Sequence, residues 1–416
     1  MTSLRDPLPI APLRTPFDLA ITPPGSKSLT CRAYVLAALA TGTSRIVRPL
    51  RAKDTDALLA ALCTLGTRAS WTGDDVSIVG NGGRFPRGGS INLGDGGAPT
   101  RFMIAAACLA GEPVVVDGSA RMRQRPIAEG VELLRRLGAQ IDFVDGNDRL
   151  PVRITPREMT GGDLDVGRTL SSQFISAIML IAPCLPTPLR LNLGPDVTSA
   201  SYVGLTRHVL RQWRGGDDGP LKATTYEIEP DASAATYWLA AAAMVPGAAV
   251  RIDGLAAASP QADARFARLL ADAGGIPTGD DPVGIRYGGP LRGVTCDMAL
   301  MPDASMTLAA AMSTAESPST ITGLQTLRIK ETDRLAALAT ELSKIGCHAE
   351  ITPDSITIRP SNGHAGPVIF ETYDDHRMAM ALALIGLVRP GISVANPACV
   401  SKSYPTFWRD LARLYD

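Results

Sequence analysis

The sequence predicts an α/β (α+β) chain of two domains, each built from three β-α-β-α-β-β units, and three observations lead there. The first is self-similarity. Six times an apolar, strand-like run meets a polar knot that opens into a helix of small residues, at intervals of roughly 60 to 75 residues. The second is a recurring amphipathic helix closed by glycine. The third is a pair of short strands around a Gly, Asn or Asp bend. At 416 residues the chain is also long for one hydrophobic core, so two domains are expected.

The knots are Pro24-Gly25-Ser26-Lys27-Ser28, Gly94-Asp95-Gly96-Gly97, Ser171-Ser172-Gln173, Asp231-Ala232-Ser233, Asp303-Ala304-Ser305-Met306 and Asp374-Asp375-His376-Arg377. Alanine-rich helices follow them, such as AYVLAALA and TYWLAAAAM. The second helices carry apolar stripes, Leu58, Leu62 and Leu65 in one and Leu335, Leu338, Leu342 and Ile345 in another. Left-handed caps are predicted at Gly66, Gly138 and Gly346. Hairpins are predicted in RASWTGDDVSIVG, QIDFVDGNDRLPVRITP and AEITPDSITIRP. The last unit ends on a helix over 407–415 and has no hairpin.

A helix start presents unpaired N–H groups and a positive dipole end, both of which favour anions. Ser171, Asp231 and Asp303 suit an N-cap on composition alone. Capping needs no lysine, so Lys27 asks for another account. Arg32, Arg101, Arg121, Arg123, Arg125, Lys330, Arg334, His376 and Arg377 also gather at knots and nearby loops. Arginine forks suit phosphate and carboxylate, and lysine supplies a point charge. A ligand with several anionic groups accounts for them together. In RIKETDRL, Lys330 and Arg334 would share a helix face one turn apart, with Glu331 beside them. Asp303 lies where cations would depress its pKa while leaving it a base or hydroxyl acceptor.

The 41 basic and 41 acidic residues cancel, which leaves no global footprint for nucleic acid. The seven cysteines are scattered, odd in number and without a CxxC pair, as expected of reduced thiols in a cytosolic protein. No signal layout opens the chain, and no apolar run approaches the roughly 20 residues of a membrane span. A soluble, cytoplasmic monomer without membrane partners is expected. His208, His348 and His364 have no motif around them and are expected on surfaces or hairpins.

The stretches PGSKSLTCRA, RMRQRPI, SSQF, PDASMT, RIKETDRL, DDHRMAM and SKSYP resemble the 5-enolpyruvylshikimate-3-phosphate synthase family, in its order and spacing, from about Ile21 to Phe407. The resemblance implies inside-out α/β barrels in two domains joined by two crossovers. Residues 1–22 and 229–416 would form one domain and residues 23–228 the other. It implies attack of the 5-hydroxyl of shikimate 3-phosphate on C2 of phosphoenolpyruvate, a tetrahedral intermediate and loss of phosphate, with no metal or organic cofactor. Shikimate 3-phosphate would meet Lys27, Ser28, Arg32, Ser171, Ser172, Gln173, Ser199, Tyr202, Asp303 and Lys330. Phosphoenolpyruvate would meet Lys27, Gly97, Arg125, Gln173, Arg334, Arg377 and Lys402. The catalytic set implied is Lys27, Asp303, Glu331, His376 and Lys402, with the hydroxyl-base role open between Asp303 and Lys402.

Two departures stand out. The family's run close to GNAGTAMRP here reads GDGGAPTRF, with Asp95, Ala98 and Phe102 among the changed positions. The Asn that usually precedes RIKETDR is absent from Gln325-Thr326-Leu327. Weakened glyphosate inhibition, altered substrate choice or weakened activity would follow from a reshaped phosphoenolpyruvate pocket. The related UDP-N-acetylglucosamine enolpyruvyl transferase usually carries a reactive Cys where this chain has Ala120, and a non-catalytic anion-binding relative is the other alternative.

Overall fold

The computed structural model describes residues 4–167, 171–194, 198–361 and 366–416; His364 lies outside them. The chain divides into two compact units, one of residues 1–24 and 230–416, the other of residues 25–229. Each contains three sheets among the described residues.

In the 25–229 unit, the strands Gly89–Asn92, Val114–Asp117, Val152–Thr155 and Gln140–Phe143 lie side by side in that order. The first pair is parallel and the remaining contacts antiparallel. The parallel step is made by the Gly97–Ala107 helix and the hairpin by the last two strands. This is the β-α-β-α-β-β unit read from the sequence. Thr295–Asp297, Ser319–Thr322, Ile356–Arg359 and His348–Ile351 repeat it in the other unit.

Two strands do not pair with the unit that follows them in sequence. Asp18–Ile21 leads into the Lys27–Leu39 helix, yet pairs in parallel with Ala249–Ile252. Thr225–Glu227 leads into the Ala232–Met244 helix, yet pairs in parallel with Thr43–Val47. The crossovers are fixed by backbone bonds from Ser26 N–H to the Glu229 carbonyl and from Asp231 N–H to the Pro24 carbonyl. The unit after the Ser171 knot departs from the prediction by lacking a hairpin among the described residues, whereas the last unit lacks one as expected. Gly162–Gly167 pairs only with Leu189–Leu193 among the described residues. Val368–Phe370 pairs with Ile392–Val394, whose other edge is taken antiparallel by the N-terminal Leu8–Ile10.

The knot helices are buried on every side. All of Ala232–Met244 except Ser233 and all of His376–Gly386 lie in the interior, which explains their alanine content: small side chains let neighbouring helices approach closely without polar atoms to satisfy. The amphipathic helices bury the predicted stripes, with Leu58, Leu62, Leu65, Leu335, Leu338 and Leu342 fully enclosed. They end at Gly66, Gly138 and Gly346 with φ between 82° and 106°, where a Cβ would be strained.

Candidate active site

Five of the six knots place a polar residue or glycine at a helix N-cap. Ser26, Ser171, Asp231 and Asp375 accept backbone N–H groups from Leu29, Gln173, Ala234 and Arg377, while Gly96 caps by conformation alone. Asp303 is the exception. It lies in the 3-10 turn Pro302–Ala304 before the Ser305–Met312 helix, and its carboxylate turns to cations instead of capping.

In the 230–416 unit these cations and carboxylates form one network. Arg334, 1% exposed, donates from Nη1 to Asp303 Oδ1 at 3.0 Å, from Nη2 to Glu331 Oε2 at 3.1 Å and from Nε to Asp375 Oδ2 at 2.6 Å. Arg377 Nη2 lies 3.2 Å from Asp303 Oδ2, and Lys330 Nζ lies 3.4 Å from Asp303 Oδ1. Lys402 Nζ lies 3.1 Å from Glu331 Oε1. In these contacts four cations face three carboxylates. Burial alone would raise the Asp303 carboxyl; Arg377, Lys330 and Arg334 outweigh it and hold Asp303 well below the usual carboxylate range. Burial would lower the Arg334 pKa, but Asp375, Glu331 and Asp303 raise it above that of an ordinary guanidinium. His376 is buried, its Nδ1 3.6 Å from Asp375 Oδ1.

Lys330 and Arg334 do not share a helix face, as the spacing suggested. Asp333 caps at Ala336 N–H, so the helix begins at Arg334, and Lys330 ends the preceding Gln325–Ile329 turn in extended conformation. Both reach Asp303 from different backbone. Asp375 was not among the candidate site residues, although it stands in the sixth knot. Its signal was the double aspartate: one carboxylate both caps the helix and takes two bonds from Arg334.

In the 25–229 unit, Lys27 Nζ meets the buried Asp54 at 3.2 Å. Nothing in the sequence pointed to Asp54, which looked like an ordinary acidic residue in a helix first turn. Arg101 holds the Gly97 carbonyl at 3.0 Å, the Pro126 carbonyl at 2.8 Å and Gln173 Oε1 at 2.9 Å, so it aims the Gln173 amide. Arg125 is 5% exposed, and its guanidinium packs over Gly97, where a Cβ would lie only 2.5 Å from Nη1. Arg123 is exposed and bonded to Asp117, and Arg121 is half-buried and bonded to Gln124.

Arg32 is drawn inward. It is 3% exposed and donates to Thr206 Oγ1, Ser176 Oγ and the carbonyls of Ser28 and Tyr202. Two of these bonds, to Thr206 and Tyr202, tie the Ala200–Arg214 helix, and so Ser199 and Tyr202, to the Lys27–Leu39 helix, and the one to Ser176 adds the Ser172–Ile181 helix. Ser199 sits at that helix start in left-handed conformation, φ 53°, with no side-chain cap. Ser28, Ser171, Gln173, Ser199 and Tyr202 are half-buried, whereas Ser172 is buried.

A model of EPSP synthase (3-phosphoshikimate 1-carboxyvinyltransferase) matches residues 14–411. The 3-phosphoshikimate 1-carboxyvinyltransferase of Methanoculleus marisnigri is 38% identical over 411 residues, 95% of this chain and 96% of that protein. That of an Enterobacter species is 36% identical over 416 residues, with 95% and 96% covered. The chain belongs to the EPSP synthase family. The fold agrees: the solved EPSP synthase of Acinetobacter baumannii superposes with a TM-score of 0.78 at 24% identity, covering 97% of each chain. The enolpyruvyl transferase NikO of Streptomyces tendae reaches 0.75 at 18% identity, covering 97% of this chain and 95% of that one. The inside-out α/β barrel of two domains is therefore the fold.

The departures from the usual EPSP synthase run have distinct surroundings. Asp95 is exposed and accepts a hydrogen bond from the Ser119 hydroxyl, which itself caps the Ala120–Gln124 helix. Ala98 packs at the edge of the core. Phe102 is 1% exposed, with the Arg32 guanidinium 5.4 Å from its ring centre. Thr326 is buried, and its hydroxyl has no hydrogen-bond partner among the described residues. No helix among the described residues is long and apolar enough to cross a membrane.

Proposed function

We propose that the chain transfers the enolpyruvyl group of phosphoenolpyruvate to the 5-hydroxyl of shikimate 3-phosphate and releases phosphate. Membership of the EPSP synthase family supports this. The observation that carries the chemistry is the buried Arg334–Asp303–Arg377–Lys330 network with Lys402 beside Glu331.

The two units serve as the functional domains. Lys27, Ser28, Ser171, Ser172, Gln173, Ser199, Tyr202, Asp303 and Lys330 bind shikimate 3-phosphate, with Arg32 acting from behind by fixing the helix of Ser199 and Tyr202. Arg125, Arg334, Arg377, Lys402, Lys27, Gln173 and the Gly97 backbone hold phosphoenolpyruvate. Asp303, kept ionised by its cations, accepts the hydrogen bond of the attacking hydroxyl and orients its oxygen. The oxygen bonds to C2 as C3 takes a proton from Glu331 in its carboxylic-acid form, and the hydroxyl proton passes to Asp303 or to Lys402 in its amine form, the proton of the 3.1 Å Lys402–Glu331 pair having first shifted to Glu331. Loss of a C3 proton and of phosphate from C2 then restores the double bond. Lys27 and Lys402 stabilise the charge that develops in both steps, and His376 packs behind the cluster at Asp375.

A coupled phosphate-release assay with both substrates tests the reading. Release that needs both supports it, and Lys27→Met should abolish it. Release with UDP-N-acetylglucosamine in place of shikimate 3-phosphate, or no release at all, would overturn it. The cysteine-dependent alternative has no support in the thiols: burial raises all seven, Cys31 and Cys108 to about 12. Titrating glyphosate into the same assay tests the reshaped pocket, for which the Asp95–Ser119 bond and the buried Phe102 speak. Inhibition as tight as in relatives with the usual run would refute it. The reading includes a cytoplasmic monomer, which sedimentation of the active protein tests.

A further inference from the structure

Glu341 stands two turns beyond Arg334 on the Arg334–Ser343 helix, so the two side chains leave the same face. It is fully enclosed, yet it is a carboxylate far along an otherwise apolar stripe. Each oxygen is used: Oε2 accepts the Lys344 ammonium at 2.6 Å and the Glu371 N–H at 2.9 Å, and Oε1 accepts the Tyr373 hydroxyl at 2.7 Å. Arg334 takes Asp375 from the other end of the helix. One helix thus grips residues 371–375 at two points.

That segment needs gripping. Tyr373 and Asp374 are consecutive non-glycine residues in left-handed conformation, φ 56° each, immediately before the Asp375 cap and Arg377. Such backbone persists only where surrounding contacts over-determine it. Asp374 in turn accepts the Asn396 side-chain amide, and Asn396 is itself left-handed, φ 45°, at the start of the Pro397–Lys402 turn. The turn that delivers Arg377 and the turn that delivers Lys402 are therefore joined.

We infer that Glu341 is a positioning residue for phosphoenolpyruvate: by clasping the Tyr373–Asp374 turn it sets where Arg377 and Lys402 present their charges. The inference rests on the reading above, in which those cations bind that substrate. Steady-state kinetics of Glu341→Ala, Glu341→Gln and Tyr373→Phe, with each substrate varied in turn, tests it. Glu341→Ala should raise the KM for phosphoenolpyruvate about tenfold or more while that for shikimate 3-phosphate stays within about twofold. Glu341→Gln retains a carbonyl for the Glu371 N–H and should recover most of the loss. Tyr373→Phe, a change at a half-exposed ring, should raise the phosphoenolpyruvate KM about threefold. This second variant carries the test if Glu341→Ala does not fold. A fall in kcat with both KM values unchanged marks a merely structural role and overturns the inference, as does an unchanged phosphoenolpyruvate KM in Tyr373→Phe. Failure of the wild-type protein to turn over would remove the underlying reading and the inference with it.

Discussion

Replacing Gly97 by alanine probes Arg125 together with the Gly97 backbone it packs against. The added Cβ would lie 2.5 Å from Arg125 Nη1 and 2.8 Å from both Cζ and Nη2. Carbon and nitrogen that are not bonded settle at about 3.5 Å, so the guanidinium must retreat by about 1 Å. Arg125 is 5% exposed and cannot simply swing into solvent. A displacement of that size in a substrate-positioning group costs on the order of 10²-fold in rate, or about 2.7 kcal/mol of transition-state stabilisation. Stability should move little, because Gly97 is the first residue of its helix, has no left-handed φ, and alanine favours helix by up to about 1 kcal/mol. Initial rates with phosphoenolpyruvate varied at saturating shikimate 3-phosphate, beside a thermal melt, separate the two effects. A folded Gly97→Ala variant whose kcat/KM for phosphoenolpyruvate stays within about threefold of wild type would refute the assignment of Arg125.

Two further outcomes follow from the buried network. Arg334→Met strands the fully enclosed carboxylate of Asp375 and takes one cation from each of Asp303 and Glu331, and should lower unfolding free energy by about 3–5 kcal/mol in urea titration. A loss below about 1 kcal/mol contradicts the network's role in holding the unit together. Asp303 also sets a pH dependence. Its folded pKa lies below the unfolded value of about 3.9, so its stabilisation is complete above about pH 4 and is lost as pH falls through the depressed folded value. Melting temperatures of wild type and Asp303→Asn between pH 5 and 2 should converge on acidification; parallel curves rule out the depressed carboxyl.

Much of the site was legible because it follows from chain chemistry at helix starts. Lysine and arginine beside buried alanine helices had no surface to occupy, and that mismatch pointed to Lys27, Arg125, Arg334 and Arg377. Asp54 and Glu341 carried no such mismatch: an acid in a first turn and an acid before lysine are ordinary helix chemistry. Only the fold shows that both are buried against partners. The double aspartate at 374–375 hid a division of labour in the same way, one residue capping and bonding Arg334, the other joining Asn396.

By itself the sequence determined the repeat, the helix starts and the sign of charge they gather, because hydrophobic period, capping and glycine turns are local properties of a few neighbouring residues. Tertiary structure alone decided which strands Asp18–Ile21 and Thr225–Glu227 pair with, that the Gly162–Gly167 unit has no hairpin among the described residues and that Leu8–Ile10 closes the edge of Ile392–Val394. These strand pairings couple residues far apart in the chain, such as Thr225 with Arg45 and Ala249 with Asp18, and no local pattern encodes which of six similar partners a strand will meet.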